Sequence, residues 1–423
     1  MTTFVELHAL RSFPPSNLNR DDAGTPKTAI FGGTRRLRIS SQCLKRTWRT
    51  SQEFRGSFSE EQLGVRTRRL PSEVLKILER SHRPLAGPAR DGLLTLLASI
   101  GRRRGPTQPE PDGEDHDDAD ADAAIESEDA AAPRTPHLLF LGRPEIEAVA
   151  RFAGDKAADL AKLSTGRKVD SKALDKLRKA LKEHLEQATT KHAVDVGLFG
   201  RFATSAEFDT VDGALQVAHA LGTQKVEVED DYYTAVDDLA EEAGAGYLGE
   251  REYASSVLYL YACCDLAQLE RNLGRRSGGG READEEAARL ARRSLPAVVR
   301  ALTQAVPRGT RTGSAPNTPA EYVEIVVRNG APLSFANAFL KAVDARDSDG
   351  DVMAASISRL SDHRNALEAA YGRAPGPGKR LVMSLRDAGG LNSGDAVKTI
   401  DELGQRLALA LDSSGGTRSP GSR

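Results

Sequence analysis

The most constraining feature of the sequence is an uninterrupted apolar run, VLYLYACC, at residues 257–264. The run is too short for a membrane helix, which needs roughly 20 apolar residues. A strand of this kind is covered on both faces, so we expect it in the middle of a sheet. The sequence contains no longer apolar run and does not start with a basic segment followed by an apolar one. It therefore predicts neither a membrane span nor a secretory signal.

Strand and helix patterns alternate around this run. A period-2 pattern predicts a strand at 1–11, with Val5, Leu7 and Ala9 on one face. Further strands are predicted at 36–40, 322–327 and 381–385, and helices at 170–191, 282–305, 334–343 and 352–371. This alternation predicts an α+β fold, compatible with an RRM-like (ferredoxin-like) sheet that carries long insertions.

The charge is distributed unevenly along the chain. Residues 105–133 contain eleven Asp or Glu and no Lys or Arg. Without them, the net charge of −2 becomes +9, so a basic body carries an acidic insert. The insert has almost no large apolar residue and is predicted to be a disordered loop. A basic body favours partners that carry phosphate.

The sequence offers little support for metal or redox chemistry. The three cysteines form no C-x-x-C pair, which excludes a disulfide framework or zinc ribbon and suits a reducing cytoplasm. Neither an H-E-x-x-H motif nor a phosphate-loop lysine is present. The G-x-G-x-x-G match at 244–249 follows an acidic, helix-like segment and precedes a strand, so we set dinucleotide binding aside. We expect no cofactor, no bound metal and no catalytic activity.

The strongest sign of function is a basic surface formed by one predicted strand and the helix after it. In each element the polar side chains share a face, and we expect the two faces to point in one direction. These side chains are Arg36, Arg38, Ser40, Gln42, Lys45, Arg46 and Arg49. Backbone N–H groups at the start of the helix would add an anion site. The preceding loop would supply further phosphate and ribose contacts from Asn17, Asn19, Arg20 and Lys27. Such a surface binds a nucleic-acid backbone without reading its sequence.

Several long segments resemble the CasC family, the backbone subunit of the type I-E CRISPR Cascade complex. Near the N-terminus these are FPPSNLNRDD at 13–22, PKTAIFGG at 26–33 and residues 35–46. Later matches are GRFATS at 200–205, VDGA at 211–214, AHA at 218–220, TAVDDL at 234–239, PLS at 332–334 and ANAF at 336–339. The resemblance covers the chain except for the acidic insert and the tail.

The resemblance implies a right-hand shape with an RRM-like palm, helical fingers and a β-hairpin thumb. It assigns 1–60 and 251–411 to the palm, 61–195 to the fingers with the disordered loop 105–133, and 196–250 to the thumb and its base. Residues 412–423 are expected to be a disordered tail. Copies of such a chain wind along the guide crRNA as a helical filament, and each thumb displaces one nucleotide. Target DNA, other Cascade subunits and a recruited helicase-nuclease are the further partners implied.

The resemblance also implies roles for individual residues. Guide-phosphate contacts correspond to Arg20, Lys27, Arg38, Ser40, Gln42, Lys45, Arg46 and Arg49. Phe202 takes the position of an apolar wedge, and we include the preceding Arg201 in the RNA-binding set. Thumb residues around the displaced nucleotide correspond to Tyr232, Tyr233, Thr234, Val236 and Leu248. Glu227, Glu229, Asp230 and Asp231 lie in the same region, so the thumb should bind by shape and stacking rather than by charge.

One alternative function remains open, a metal-dependent endoribonuclease like the backbone subunits of type III complexes. Asp21 and Asp22 follow the first strand and lie beside Arg20. A metal-assisted cut needs a carboxylate near the scissile phosphate, which either residue could supply. Loop hydrogen bonding is the competing explanation for both aspartates.

Overall fold

The computed structural model describes residues 2–100, 133–163, 169–187, 193–203, 205–236, 245–274, 281–386 and 395–414. Most of the predicted acidic loop 105–133, most of the predicted tail 412–423 and residues 237–244 of the predicted thumb lie outside the described residues. None of the helices in the described ranges combines the length and the apolar character that a membrane span requires.

Most of the described strands belong to a single large sheet. The strands are β1 Thr3–Ser16, β2 Thr28–Phe31, β3 Thr34–Ile39, β4 Gly64–Thr67, β5 Leu139–Gly142, β6 Leu215–Val217, β7 Ala220–Gly222, β8 Val228–Val236, β9 Ala245–Asp265, β10 Tyr322–Asn329, β11 Arg380–Ser384 and β12 Ala396–Val397. The large sheet runs in the order β12-β11-β10-β1-β9-β7-β3-β2, with β6 and β8 also paired to β9. Strands β4 and β5 form a separate antiparallel pair.

The second half of β9 lies at the centre of the large sheet. It pairs antiparallel with β1, which pairs antiparallel with β10 on its other side. Both faces of β9 are covered, because Leu258 and Leu260 belong to one apolar cluster and Tyr259 to another. The prediction of a central strand at 257–264 is confirmed, and so is the α+β class.

Helices cover the sheet and build a separate lobe. They are α1 Ser41–Thr50, α2 Gln52–Arg55, α3 Leu70–Arg80, α4 Pro88–Ser99, α5 Arg143–Asp155, α6 Ala157–Leu163, α7 Ser171–Gln187, α8 Val194–Phe199, α9 Leu266–Leu273, α10 Arg281–Gln304, α11 Arg311–Ser314, α12 Val352–Tyr371 and α13 Ile400–Ser414. Helix α10 packs Ala291, Leu295 and Leu302 against the sheet at helical spacing. Helices α3 to α7, with β4 and β5, form what we call the helical lobe, which has its own apolar cluster.

The end of one predicted strand and the type of one predicted helix were wrong. Strand β1 continues to Ser16, because residues beyond Arg11 still pair with β9. The predicted helix at 334–343 is only a short 3-10 turn, Ala336–Phe339. Two further 3-10 turns, Glu60–Gln62 and Ala345–Ser348, are described.

The face of β1 that packs toward α12 buries charged groups. Glu6 accepts hydrogen bonds from Arg328 Nε (2.8 Å) and from the backbone N–H of Leu333 (2.9 Å). Arg328 also donates to Glu368 on α12 (3.1 Å). Because each buried charge has an opposite partner, this network holds the segment after β10 firmly on the sheet.

Candidate nucleic-acid interface

The start of α1 is fixed by buried polar side chains. Ser40 Oγ caps the helix by accepting from the backbone N–H of Cys43 (3.2 Å), and the Ser40 N–H donates to Asn19 Oδ1 (2.8 Å). Asn17 Nδ2 donates to the carbonyl of Gly24 (2.9 Å). These contacts bind the loop after β1 to the beginning of α1. The predicted RNA contacts of Asn17, Asn19 and Ser40 stay predictions.

The backbone N–H groups at this helix end are partly used within the chain. The Ser41 N–H donates to His219 Nδ1 (3.1 Å), in addition to the bond between Cys43 and Ser40. The prediction of free N–H groups is therefore wrong at these two positions. His219, which is exposed, also lies 3.4 Å from Arg38 Nη1. Sequence reasoning gave His219 no role, although it lies in the matched segment AHA.

Six predicted side chains lie half-buried along β3, α1 and the preceding loop, and we call them the basic surface. They are Arg20, Lys27, Arg38, Gln42, Lys45 and Arg46. The opposite stripe of α1, Leu44 and Trp48, is buried in the main core, which orients the helix. The loop lies beside β3, because the backbone N–H of Arg38 donates to the carbonyl of Lys27 (2.9 Å). The structure thus brings these six residues onto neighbouring elements.

Arg36 does not belong to this surface. Its side chain is 0% exposed, and Nη1 donates to the carbonyls of Gly222 (3.0 Å) and Thr223 (2.7 Å). Nη2 donates to the carbonyl of Phe339 (2.9 Å). Arg36 and Arg38 share a face of β3, because side chains alternate along a strand, but Arg36 is buried whereas Arg38 is half-buried. The expectation of an open Arg36 side chain is wrong, and its RNA contact stays a prediction. The hydrogen bonds of Arg36 join β3 to the end of β7 and to the 3-10 turn at Phe339.

Arg49 is also largely buried, at 7% exposure. Its Nη1 lies 3.9 Å from Asp195 Oδ2, and its guanidinium carbon lies 5.0 Å from the centroid of the Phe140 ring. Burial lowers the pKa of Arg49 to about 10, so the group is still charged at neutral pH. The side chain therefore points into the junction between α1 and the helical lobe. It is not part of the open face of α1.

Arg201 is an internal ion-pair partner, whereas the adjacent Phe202 is open to solvent. Arg201 Nη1 donates to both carboxylate oxygens of Glu145 and to the carbonyl of Phe140 (3.1 Å). Its Nε donates to the carbonyl of Asp209 (2.9 Å). Phe202 is 56% exposed. Arg201 is therefore buried and held by Glu145, and the predicted RNA roles of Arg201 and Phe202 both stay predictions.

Strand β8 and the first half of β9 form an antiparallel hairpin, which we call the β8–β9 hairpin. Tyr232 and Thr234 share a face with Leu248, because Thr234 pairs with Leu248 and side chains alternate along a strand. Tyr232 is 67% exposed and Leu248 is 65% exposed. A hydrogen bond with the Glu250 carboxylate raises the pKa of Tyr232. Val236 is the last residue of β8, and its backbone pairs with Ala245.

Tyr233 lies on the opposite face of the hairpin. The guanidinium carbon of Arg251 lies 4.7 Å from the centroid of its ring. Gly249 is directly opposite in the register, and a Cβ at Gly249 would lie 2.4 Å from Tyr233 Cζ. Tyr232 and Tyr233 therefore lie on opposite faces of the hairpin and do not form one contact surface. Acidic side chains, at Glu227, Glu229, Asp230 and Asp231, are exposed along the hairpin.

Asp21 organises the turn that follows β1. Its Oδ1 accepts from the backbone N–H groups of Ala23 and Thr25 (both 3.0 Å), and Oδ2 accepts from Thr25 Oγ1 (2.7 Å). The hydrogen bond from the Thr25 hydroxyl lowers the pKa of Asp21. Asp22 is exposed. In the described ranges, no group of three His, Cys, Asp or Glu side chains is arranged to hold a metal ion.

The residues of this interface lie within a segment of the chain that matches the model of a known family. The model of the family described as CT1975-like protein matches residues 5–406. The chain belongs to this family. The match to the CT1975-like family includes the basic surface, Phe202 and the β8–β9 hairpin.

This CT1975-like chain is also similar to chains of solved complexes. One belongs to a "CRISPR RNA-guided surveillance complex, pre-nicking", with 28% identity, a TM-score of 0.74, and coverage of 96% of this chain and 100% of that chain. Another belongs to a "CRISPR RNA-guided surveillance complex", with 25% identity, a TM-score of 0.64, and coverage of 96% and 99%. No curated protein matches the chain.

Proposed function

We propose that this chain is a non-catalytic backbone subunit of a type I-E CRISPR Cascade complex. It polymerises along the guide crRNA as a helical filament and presents the guide for pairing with target DNA. Its further partners are the other Cascade subunits and a recruited helicase-nuclease, and it acts in the cytoplasm. The observation that carries this proposal is the similarity, over 96% of the chain, to a chain of an RNA-guided surveillance complex.

The arrangement of the elements supports the palm, fingers and thumb of such a subunit. Strands β10-β1-β9-β7 are adjacent antiparallel neighbours, an order that suits an RRM-like palm. The helical lobe corresponds to the fingers, and the β8–β9 hairpin corresponds to the thumb. In this assignment the palm carries the basic surface and the thumb carries the exposed Tyr232 and Leu248.

The chemistry of the two regions supports different tasks. The cations of the basic surface suit phosphates, and contacts to phosphates carry no sequence information. The hairpin is acidic, so it is unsuited to phosphates. Its exposed Tyr232 and Leu248, like Phe202, can contact the face of an unstacked base. The basic surface would therefore hold the guide, and the apolar side chains would set the spacing of displaced nucleotides.

A scaffold without nuclease activity is favoured by the surroundings of Asp21. Both of its carboxylate oxygens accept hydrogen bonds within its own turn, which explains the residue without a metal. To test this, the assembled complex is incubated with complementary RNA and Mg²⁺. We expect the RNA to stay intact. Periodic cleavage that Asp22→Ala abolishes would establish the endoribonuclease alternative.

The scaffold role itself is tested by purification with a guide. The chain is expressed with a CRISPR array and its neighbouring subunits, purified through a tag on this chain, and examined for bound RNA and particle length. We expect a small RNA of uniform length in long oligomers. A chain that purifies as an RNA-free monomer under these conditions contradicts the proposal.

A further inference from the structure

An exposed histidine links the strand and the helix that carry the basic surface. His219 Nδ1 accepts a hydrogen bond from the backbone N–H of Ser41 at the start of α1 (3.1 Å). The same nitrogen lies 3.4 Å from Nη1 of Arg38 on β3. Arg38 is also the register partner of Leu221 in β7, two residues after the histidine. One ring nitrogen therefore contacts both the helix and the strand.

A bulge in the sheet brings His219 to this position. Val217, the last residue of β6, is opposite Ala262, whereas Leu221 in β7 is opposite Tyr259. Four steps along the chain from 217 to 221 therefore face three steps along β9, and one residue is left over between β6 and β7. Such an extra residue bends a strand and redirects a side chain. The bulge explains why this histidine leaves the regular alternation of the strand.

The hydrogen bond from Ser41 determines how the ring acts on its neighbours. A neutral imidazole has one accepting nitrogen, and the Ser41 N–H identifies it as Nδ1. Because Nδ1 is an acceptor, Nη1 of Arg38 can donate to it as well, which holds the guanidinium toward the start of α1. An arginine side chain has many rotamers, so one that is already ordered loses less entropy when it binds a phosphate.

The groups at the start of α1 keep this end of the helix attractive to an anion. The first turn of α1 contains no acidic residue. Ser40 Oγ and His219 Nδ1, which accept from the N–H groups of Cys43 and Ser41, are both neutral acceptors. A carboxylate cap would instead repel a phosphate and cancel the partial positive charge of the helix end. The helix end is therefore fixed in place without losing that charge.

We propose that His219 is a positioning residue for RNA binding that acts through Arg38. Its Nδ1 holds the guanidinium beside the start of α1, where Arg38 contacts a phosphate of the guide RNA. This inference rests on the proposed function and adds a positioning residue to the basic surface. Sequence reasoning missed His219, because a single histidine after a short strand gives no sign that a bulge turns it toward β3.

A double-mutant cycle tests whether His219 acts through Arg38. The full chain is compared with His219→Ala, Arg38→Gln and the double variant for binding of an unstructured single-stranded RNA across a salt titration. We expect each single variant to weaken binding roughly twofold to tenfold at low salt. Each should flatten the slope of log K against log salt by up to about 0.7. The double variant should bind no more weakly than Arg38→Gln, because the two residues support one phosphate contact.

Conservative variants separate positioning from a general loss of structure. His219→Asn places an acceptor oxygen near the position of Nδ1 and should restore most of the binding. His219→Gln places its oxygen near the position of Nε2 and should bind as weakly as His219→Ala. His363→Ala, at a half-buried histidine of α12, is the matched control and should bind as the unaltered chain does.

The possible outcomes separate this inference from the proposed function. Additive effects of His219→Ala and Arg38→Gln overturn it, because His219 would then act independently of Arg38. Normal binding by Arg38→Gln with weaker binding by Lys45→Ala also overturns it and leaves the proposed function intact. If neither Arg38→Gln nor Lys45→Ala has an effect, the proposed RNA surface fails as a whole. Where His219→Ala lowers the unfolding temperature, His219→Asn decides: recovered binding supports positioning, and binding that stays weak overturns it.

Discussion

Arg201 and Glu145 form a buried ion pair in which Arg201 Nη1 donates to Oε1 and Oε2 at 3.0 and 2.9 Å. The pair joins the segment after α8 to helix α5 of the helical lobe. The next residue in the chain, Phe202, is exposed. The buried ion pair therefore fixes the backbone next to Phe202, and the exposed ring of Phe202 itself contributes little to the core.

This relationship predicts opposite effects for neighbouring substitutions. Arg201→Ala removes the guanidinium that pairs with the buried Glu145 carboxylate and should lower the free energy of unfolding by about 3–5 kcal/mol. Phe202→Ala should leave it within about 0.5 kcal/mol of the original value and reduce assembly on guide RNA. Denaturant unfolding and the yield of RNA-bound oligomers measure the two effects. A large loss of stability in Phe202→Ala would assign the ring to the core instead.

Arg36 should behave as a structural residue. Arg36→Ala removes the donors to the carbonyls of Gly222, Thr223 and Phe339, and we expect a loss of about 3 kcal/mol or more in the free energy of unfolding. The salt slope of RNA binding should not change in the fraction that stays folded. A stable Arg36→Ala protein whose RNA binding depends less steeply on salt would show that Arg36 contacts a phosphate.

Arg36 also shows which features the sequence could predict and which it could not. The strand at 257–264 and the helix at 352–371 follow from local apolar patterns, and both are confirmed. The burial of Arg36 depends on the carbonyl of Phe339, which lies 303 residues further along the chain. A charged residue on an alternating strand looks the same whether it faces solvent or a buried carbonyl. The pattern therefore located the basic elements but could not separate Arg36 from Arg38.

The basic surface predicts a measurable dependence on salt. Lys45→Ala combined with Arg46→Ala should flatten the slope of log K against log salt by about 1.4, since each phosphate contact on a single strand contributes about 0.7. Lys179→Ala is a matched control, because Lys179 is an exposed lysine of α7 paired with Glu183. Equal slopes for the double variant and the control would show that Lys45 and Arg46 do not contact phosphates.

Asp195 predicts a dependence of stability on pH. Burial raises the pKa of this carboxyl, so the folded state binds its proton more tightly than the unfolded state does. Its charge therefore costs stability as the pH rises from the unfolded pKa to the folded one, and Asp195→Asn should lack this dependence. Thermal unfolding of the two proteins from acidic to neutral pH measures this difference. An equal loss of stability with rising pH in Asp195→Asn would contradict the assignment to this carboxyl.

Gly249 offers a way to test the β8–β9 hairpin without removing an aromatic ring. A Cβ at this position would lie 2.4 Å from Tyr233 Cζ, so Gly249→Ala must push the ring away from the strand and from Arg251. The ring lies at the end of a flexible side chain on a largely exposed hairpin, so the free energy of unfolding should fall by less than about 1 kcal/mol. If Tyr233 contacts a displaced nucleotide, assembly on guide RNA or capture of target DNA should decline as it does in Tyr233→Ala. Normal assembly and capture by Gly249→Ala, together with a defect in Tyr232→Ala, would place the contact on the opposite face of the hairpin, the one that carries Leu248.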